Sequence, residues 1–422
     1  MQEKNNIDVN DLFGDFDSSI EVPEINEEVI DNNEDEYTDN NEEYVDTQSF
    51  YKSRIHNFKE KRANIIKGGV NCIPFDSLPR FKKELPGIEQ AKYYLLTGNE
   101  KSGKSQISDF LFFIIPLFYA YYNPEKVRIK ILYFTLEMSI SEKFDQLICY
   151  CLYRFSKGKI RIDTKQLNSL NEDLPLSAEV LKILESKEYQ DFFDFLEDNV
   201  IYYMDVSNPT GMFKLCEEFA QARGEFSYKQ VKWKTENGYE NRKVKDKFIK
   251  NDPQEYWIGI TDHASLISTE KGCETLRDAI GKFSSKAIIK LRNLYGYTWA
   301  MVQQQSGAKQ GDEAFKLNRI TPSTDGLADN KMTAKDCNVM LTIFSPFRFE
   351  KSTWNGYNIS TFKDNIRFLE VYLNRNGSSG AVCPLYFDGA VNYFTELPPP
   401  NSNDLRRFET LAKSVQLWQN RS

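Results

Sequence analysis

The stretch Thr97-Gly98-Asn99-Glu100-Lys101-Ser102-Gly103-Lys104-Ser105, TGNEKSGKS, follows directly on the apolar run Tyr93-Tyr94-Leu95-Leu96 and leads into SQISDFLFFIIPLFYAYY, residues 105–122. Glycines at 98 and 103, a lysine at 104 and a hydroxyl at 105 satisfy every specified position of a phosphate-binding loop. In such a loop successive backbone N–H groups ring a phosphate, the lysine reaches its outer oxygens, and the hydroxyl helps hold Mg²⁺. The flanks read as a buried strand and a buried helix, so the loop sits at a strand-to-helix turn with the helix dipole aimed at the anion. Gly98, Asn99, Glu100, Lys101, Ser102, Gly103, Lys104, Ser105 and Gln106 are therefore the candidate nucleotide-binding residues, with ATP as the expected nucleotide.

Downstream, apolar runs alternate with helical periodicity. KVRIKILYFTLEMS (126–139) reads as a strand, Val127 to Leu136, ending at Glu137. VIYYMDV (200–206), YWIGITDH (256–263), YTWAMVQQQ (297–305), NVMLTIF (338–344) and a last strand, FLEVYLNRNG (368–377), follow, with helical stretches between most of them. Strands separated by helices at this cadence predict an α/β fold with a mainly parallel central sheet and helices on both faces. Ligands in such sheets bind beyond the carboxyl ends of the strands, where Glu137, Asp262 and Gln303 join the loop. A carboxylate closing an apolar strand, Asp262, suits a Mg²⁺ anchor beside Ser105. A second, Glu137, suits the base that deprotonates an attacking water. Gln303 or Gln304 suits a sensor of the γ-phosphate.

The chain of 422 residues is 40% hydrophobic and 14% aromatic, ample for a large core. Its net charge of -8 is unevenly spread: residues 1–47 hold seventeen acidic residues and one lysine, so the remainder carries +8. The amino-terminal segment 1–48 cannot bury enough apolar surface to offset chain entropy and is expected to be a disordered acidic tail. Residues 49–69 read as an amphipathic linker helix with Tyr51, Ile55, Phe58 and Ile65 on one face and Gly68-Gly69 at its end. The seven cysteines form no CxxC pair and there are only two histidines, which argues against a zinc site and for a reducing compartment. No signal-peptide pattern opens the sequence, and FLFFIIPLFYAYY is too short for a membrane span, so a cytoplasmic location is expected, a host's if the gene is phage-borne.

A lysine-rich segment around Asn237-Gly238, with eight basic residues between 229 and 250, predicts a basic hairpin inserted at about 226–252. The polar segment 306–335 contains Lys309, Lys316, Arg319, Lys331 and Lys335. After Pro398-Pro399-Pro400, residues 398–422 place Leu405, Phe408, Leu411, Val415 and Trp418 on one helical face.

These residues together resemble the DnaB-type replicative helicases. Ile131-Leu132-Tyr133-Phe134-Thr135-Leu136-Glu137-Met138-Ser139 is similar to that family's strand ending in Ser-Leu-Glu-Met, whose glutamate is catalytic. Lys335-Asp336-Cys337-Asn338-Val339 resembles a Gln-Asp-Ala-Asp-Val stretch, and Leu373-Asn374-Arg375-Asn376-Gly377 resembles a terminal Lys-Asn-Arg-Asn-Gly. The likeness covers about residues 70–397. It implies a RecA-like P-loop ATPase domain, a homo-hexameric ring with ATP at subunit interfaces, Arg375 as an arginine finger acting on a neighbour's site, and Gln303 coupling hydrolysis to the polar segment. It further implies single-stranded DNA as partner, with Lys316, Arg319 and Lys331 in the channel-facing segment, and replication proteins docking through the acidic tail or the carboxyl-terminal helix. The sequence departs from the family at Leu373, where a lysine is usual, at His263, where an aromatic is usual, and in its phosphate loop, which is closer to that of RecA recombinases. A recombinase filament and a nucleotide-regulated assembly protein without unwinding are the alternative readings.

Overall fold

The structure, a computed structural model, describes residues 47–235, 238–307 and 320–419. The acidic tail, Lys309, Lys316 and Arg319 lie outside the described residues, as does Asn237 at the hairpin tip. The chain divides into two compact units, Met1–Ala63 and Asn64–Ser422. Helix α1, Thr47–Ile66, begins in the first. It ends as its glycines predict: Gly68 takes φ +82° and the Gly69 N–H donates to the Asn64 carbonyl at 2.9 Å, a left-handed stop that costs glycine least.

In the second unit a sheet of nine strands carries the site. In chain order these are β1 (Tyr93–Gly98), β2 (Arg128–Thr135), β3 (Val200–Tyr203), β4 (Glu255–Asp262), β5 (Thr298–Gln304), β6 (Val339–Phe344), β7 (Ile366–Asn374), β8 (Ala381–Asp388) and β9 (Tyr393–Glu396). Their order across the sheet is β9-β8-β7-β6-β1-β5-β4-β2-β3. Strands β6, β1, β5, β4, β2 and β3 are mutually parallel, and β7, β8 and β9 extend the sheet in antiparallel fashion. The mainly parallel RecA-like α/β sheet expected from the sequence is present. The last two strands exceed the expectation, because their short runs with Pro384 and Gly389-Ala390 between them carry little periodicity of their own.

Alternation along the strands divides the core in two. Tyr94, Leu96, Ile131 and Tyr133 face one buried cluster, and Tyr93, Leu95, Leu132 and Phe134 face the other. The first is covered by the helical rod α2, which runs through Lys104–Ser108, a π-helical segment Asp109–Ile114, and Ile115–Tyr122, and by α3, Ile140–Phe155. The second is covered by α4, Pro209–Gln221, and by the helical stretch 276–295. A third cluster seats the carboxyl-terminal helix α5, Leu405–Gln419, on Phe368 and Tyr386 through Leu405, Ala412 and Val415. Most of its apolar stripe is thus spent on its own domain. The inserted hairpin pairs Gly224–Thr235 with Gly238–Lys250 and is rooted by Phe226 and Phe248 against Tyr295. Lys243 and Lys245 lie over the rings of Tyr228 and Phe226, at 4.6 and 4.4 Å.

Gly259 on β4 lies beneath Trp299, whose ring is wholly buried between Phe134 and Phe283. A Cβ there would stand 2.2 Å from the Trp299 ring. Gly259→Ala is expected to destabilise the domain by about 1–3 kcal/mol through overpacking, read as a lower denaturation midpoint. Combining it with Trp299→Leu should cost less than the sum of the two single changes.

Candidate functional site

The cradle forms where β1 ends. Gly103 holds φ +91°, a conformation that strains any residue with a side chain, and frees the turn into α2. A Cβ on Gly98 would lie 2.5 Å from the Ser102 hydroxyl and 2.6 Å from the Ile343 carbonyl, so the loop can close only on a bare backbone. Lys104, nearly buried, donates from Nζ to the Asn99 carbonyl across the loop at 2.9 Å. The Asn99 amide atoms and the Ser102 hydroxyl are buried with no hydrogen-bond partner in the protein. Buried polar atoms left unpaired are costly, so their concentration here fits a polar ligand.

Asp262, at the end of β4, is 1% exposed and accepts from the Ser105 hydroxyl at 3.1 Å through Oδ1. This hydroxyl–carboxylate pair is the donor set expected to hold Mg²⁺ beside a triphosphate. Burial lowers the Lys104 amine from its ordinary value, and Asp262, Glu137 and Glu100 pull the other way. Glu137, at the end of β2, keeps half of its side chain exposed and stands 3.6 Å from His263 Nε2. The same imidazole nitrogen lies 3.3 Å from the Gln304 amide. Strand ends β2, β4 and β5 are thus joined by a Glu137–His263–Gln304 chain beside the cradle.

Gln303 is placed otherwise. Adjacent strand residues face opposite sides, and Gln303, wholly buried, donates to the Ala328 and Asn330 carbonyls at 2.6 and 2.8 Å and accepts from the Thr333 hydroxyl at 2.6 Å. It braces the returning end of the polar segment, while Gln304 takes the place at the crevice. Lys331 lies on that returning end and is exposed.

Arg375 stands at the far edge of the sheet. Because β7 runs antiparallel, its first residues pair near the end of β6, Phe368 with Phe344, and its last near the beginning, Asn374 with Val339. The arginine is therefore roughly 30 Å along the strand from its own cradle. It is exposed and bonds the Lys335 carbonyl. Leu373 before it packs against the second core cluster, so this position is an apolar contact here.

Three residues beside the cradle went unnoticed in the sequence. Arg367, 1% exposed, donates from Nε to the Ser102 carbonyl at 2.7 Å, with the Phe387 ring 4.8 Å beneath its guanidinium. Burial draws its pKa down to about 10, which still leaves it charged at neutral pH. Its contact spans 265 positions of sequence, so no local signal announces it. Lys143 and Asp109, on α3 and α2, form a buried pair at 2.9 Å. A lysine and an aspartate inside strongly apolar helices were the available clue.

The architecture is that of replicative-helicase ATPase domains. The chain is similar to the solved ATPase domain of a phage helicase, with a TM-score of 0.56 at 13% identity over 84% of this chain and 100% of that one. It is also similar to a DnaB-like replicative helicase described with its interactions with primase, at a TM-score of 0.53 and 13% identity over 89% and 69%. No protein-family model matches the chain, and no curated protein matches it significantly in sequence. At such identity the likeness carries the fold. Among the described residues no helix is long and apolar enough to cross a membrane.

Gly98→Ala should abolish the thermal stabilisation that Mg²⁺ and ATP give the folded protein, while Arg367→Met should weaken nucleotide binding about tenfold by releasing the Ser102 carbonyl. Isothermal titration with ATP checks both.

Proposed function

We propose that this protein is an ATP-dependent replicative DNA helicase, a homo-hexameric ring of the DnaB type that translocates on single-stranded DNA. The observation that carries the reading is the convergence of Lys104, Ser105, Asp262, Glu137, His263 and Gln304 at the carboxyl ends of parallel strands in a helicase ATPase fold.

Each residue then has one task. Lys104 and the loop N–H groups hold the phosphates, and Ser105 and Asp262 hold Mg²⁺, which when bound neutralises charge on the β- and γ-phosphates. Glu137, open to water and steered by His263, takes the proton of the attacking water. Gln304 senses the γ-phosphate through the same imidazole and passes its loss along β5. Gln303, one residue earlier, is already tied to residues 328–333, so a shift of β5 moves the segment leading to the DNA-facing residues, Lys316, Arg319 and Lys331. Such contacts hold the backbone without reading sequence and weaken with salt.

Arg375 belongs to a neighbour's reaction. Its place at the sheet edge opposite its own cradle leaves a second copy as the site it can complete, which makes hydrolysis conditional on assembly. Helix α1 is the natural strap between adjacent copies, and the basic hairpin is a second surface for DNA. A primase or other replication protein docks through the acidic tail.

Lys104→Ala and Glu137→Gln are expected to lower DNA-stimulated ATP hydrolysis by about 10²–10⁴-fold and to abolish strand displacement. Arg375→Ala alone should be equally inactive, yet mixing it with Lys104→Ala should restore hydrolysis, because each supplies what the other lacks. Mixtures as inactive as their parts would remove Arg375 from the reaction. Electron microscopy with single-stranded DNA and a non-hydrolysable ATP analogue should show closed rings, and filaments would replace the helicase reading with a recombinase.

A further inference from the structure

Behind the cradle lies a buried charge cluster that the reading above does not use. Lys143 Nζ donates to Asp109 Oδ2 at 2.9 Å and to Asp262 Oδ2 at 3.2 Å, and the three side chains are 4, 6 and 1% exposed. The Tyr133 hydroxyl donates to the other oxygen of Asp109 at 2.5 Å, and its ring lies 5.1 Å from the ammonium. Burial draws the Lys143 amine down, but the two carboxylates outweigh it and hold the amine above the ordinary lysine value. Burying an ion pair costs desolvation that apolar residues of the same volume avoid, so stability alone is a poor reason for this cluster.

Its geometry suggests another. The two oxygens of Asp262 are divided: Oδ1 faces the Ser105 hydroxyl and Oδ2 faces Lys143. The carboxylate plane is held from both sides, with one oxygen turned to the cradle. Asp109 opens the π-helical segment of α2 one turn beyond Ser105, and Lys143 lies in the first turn of α3, whose cap Ser139 follows Glu137 by two residues. The cluster therefore ties the loop helix, the metal aspartate and the helix behind the catalytic glutamate into one unit.

We propose that Lys143 is a positioning residue and resident counter-ion for Asp262, and that Asp109 sets how much of its charge Asp262 receives. The inference rests on Ser105 and Asp262 forming a metal–nucleotide site. With Asp109 and Asp262 ionised and Lys143 charged, the cluster offers the cradle a net charge of about -1. Asp109→Asn takes this to zero and leaves Lys143 to Asp262 alone. Lys143→Met takes it to about -2 and frees Oδ2. The two changes must then move the demand for a divalent cation in opposite directions, which a purely structural role would not do.

The test is equilibrium binding of a fluorescent ATP analogue to the full chain, titrated with Mg²⁺ and without DNA, after thermal unfolding confirms that each variant folds. Asp109→Asn should raise the half-saturating Mg²⁺ concentration about tenfold and Lys143→Met should lower it by a similar factor. An unchanged midpoint in Asp109→Asn, or shifts of the same sign in both, overturns the proposal. Should Lys143→Met fail to fold, Asp109→Asn decides by itself, since the isosteric amide still accepts from Lys143. If the unaltered protein binds no analogue at any Mg²⁺ concentration, the nucleotide-site reading itself fails. If it binds and Asp109→Asn leaves the midpoint in place, the counter-ion role alone is lost.

Discussion

Asp262 is a carboxylate with almost no contact with water, and the surrounding structure is arranged so that it need not have any. Ser105 donates to one oxygen and Lys143 to the other, each from a different helix. A lone ionised group in such a place would be prohibitively expensive. The aspartate can end β4 only because α2 and α3 lean over the strand ends at the right height. That requires the parallel strands beneath them to be in register: Thr135 pairs with Asp262, and Gly98 with Gln304. The carboxylate, the loop and the strand ends are therefore one constraint.

Strand direction decides which groups share this crevice. The parallel strands deliver their last residues to a single edge, and Glu137, Asp262 and Gln304 meet there although well over a hundred positions of sequence separate the first from the last. Strand β7 runs the other way, and its two arginines part company. Arg367 enters the sheet near the cradle and steadies the Ser102 carbonyl, while Arg375 leaves at the opposite edge. One rigid strand thus touches its own phosphate loop at one end and presents an exposed arginine at the other. For a ring of identical subunits this is a mechanical link between neighbouring sites, made of backbone ladder rather than flexible loop.

The basic insertion and the carboxyl-terminal helix show how surface residues are used once the core is settled. Lysines of the hairpin lie over aromatic rings of the same ribbon, so part of their charge is engaged locally and their stems cover apolar area. The apolar stripe of α5 closes the third core cluster against β7 and β8. A stripe of that kind reads equally well as a docking face until the surface it covers is known.

The phosphate loop, the alternation of strands and helices, and the strand-end carboxylates were all legible in the chain itself, because each depends on neighbours within a few residues. Glycine at 98 and 103, apolar runs of strand length and a polar residue closing each run are local patterns with local physical causes. Three matters lay beyond that range. The facing of Gln303 against Gln304 turns on strand parity relative to a distant segment, residues 328–333. The antiparallel course of β7, which sends Arg375 away from its own cradle, is set by pairing with β6. The Asp109–Lys143–Asp262 cluster and the Arg367 prop join residues 34 to 265 positions apart. Desolvation gives such pairings their force, and it exists only once the chain has folded around them, so only the tertiary structure could decide them.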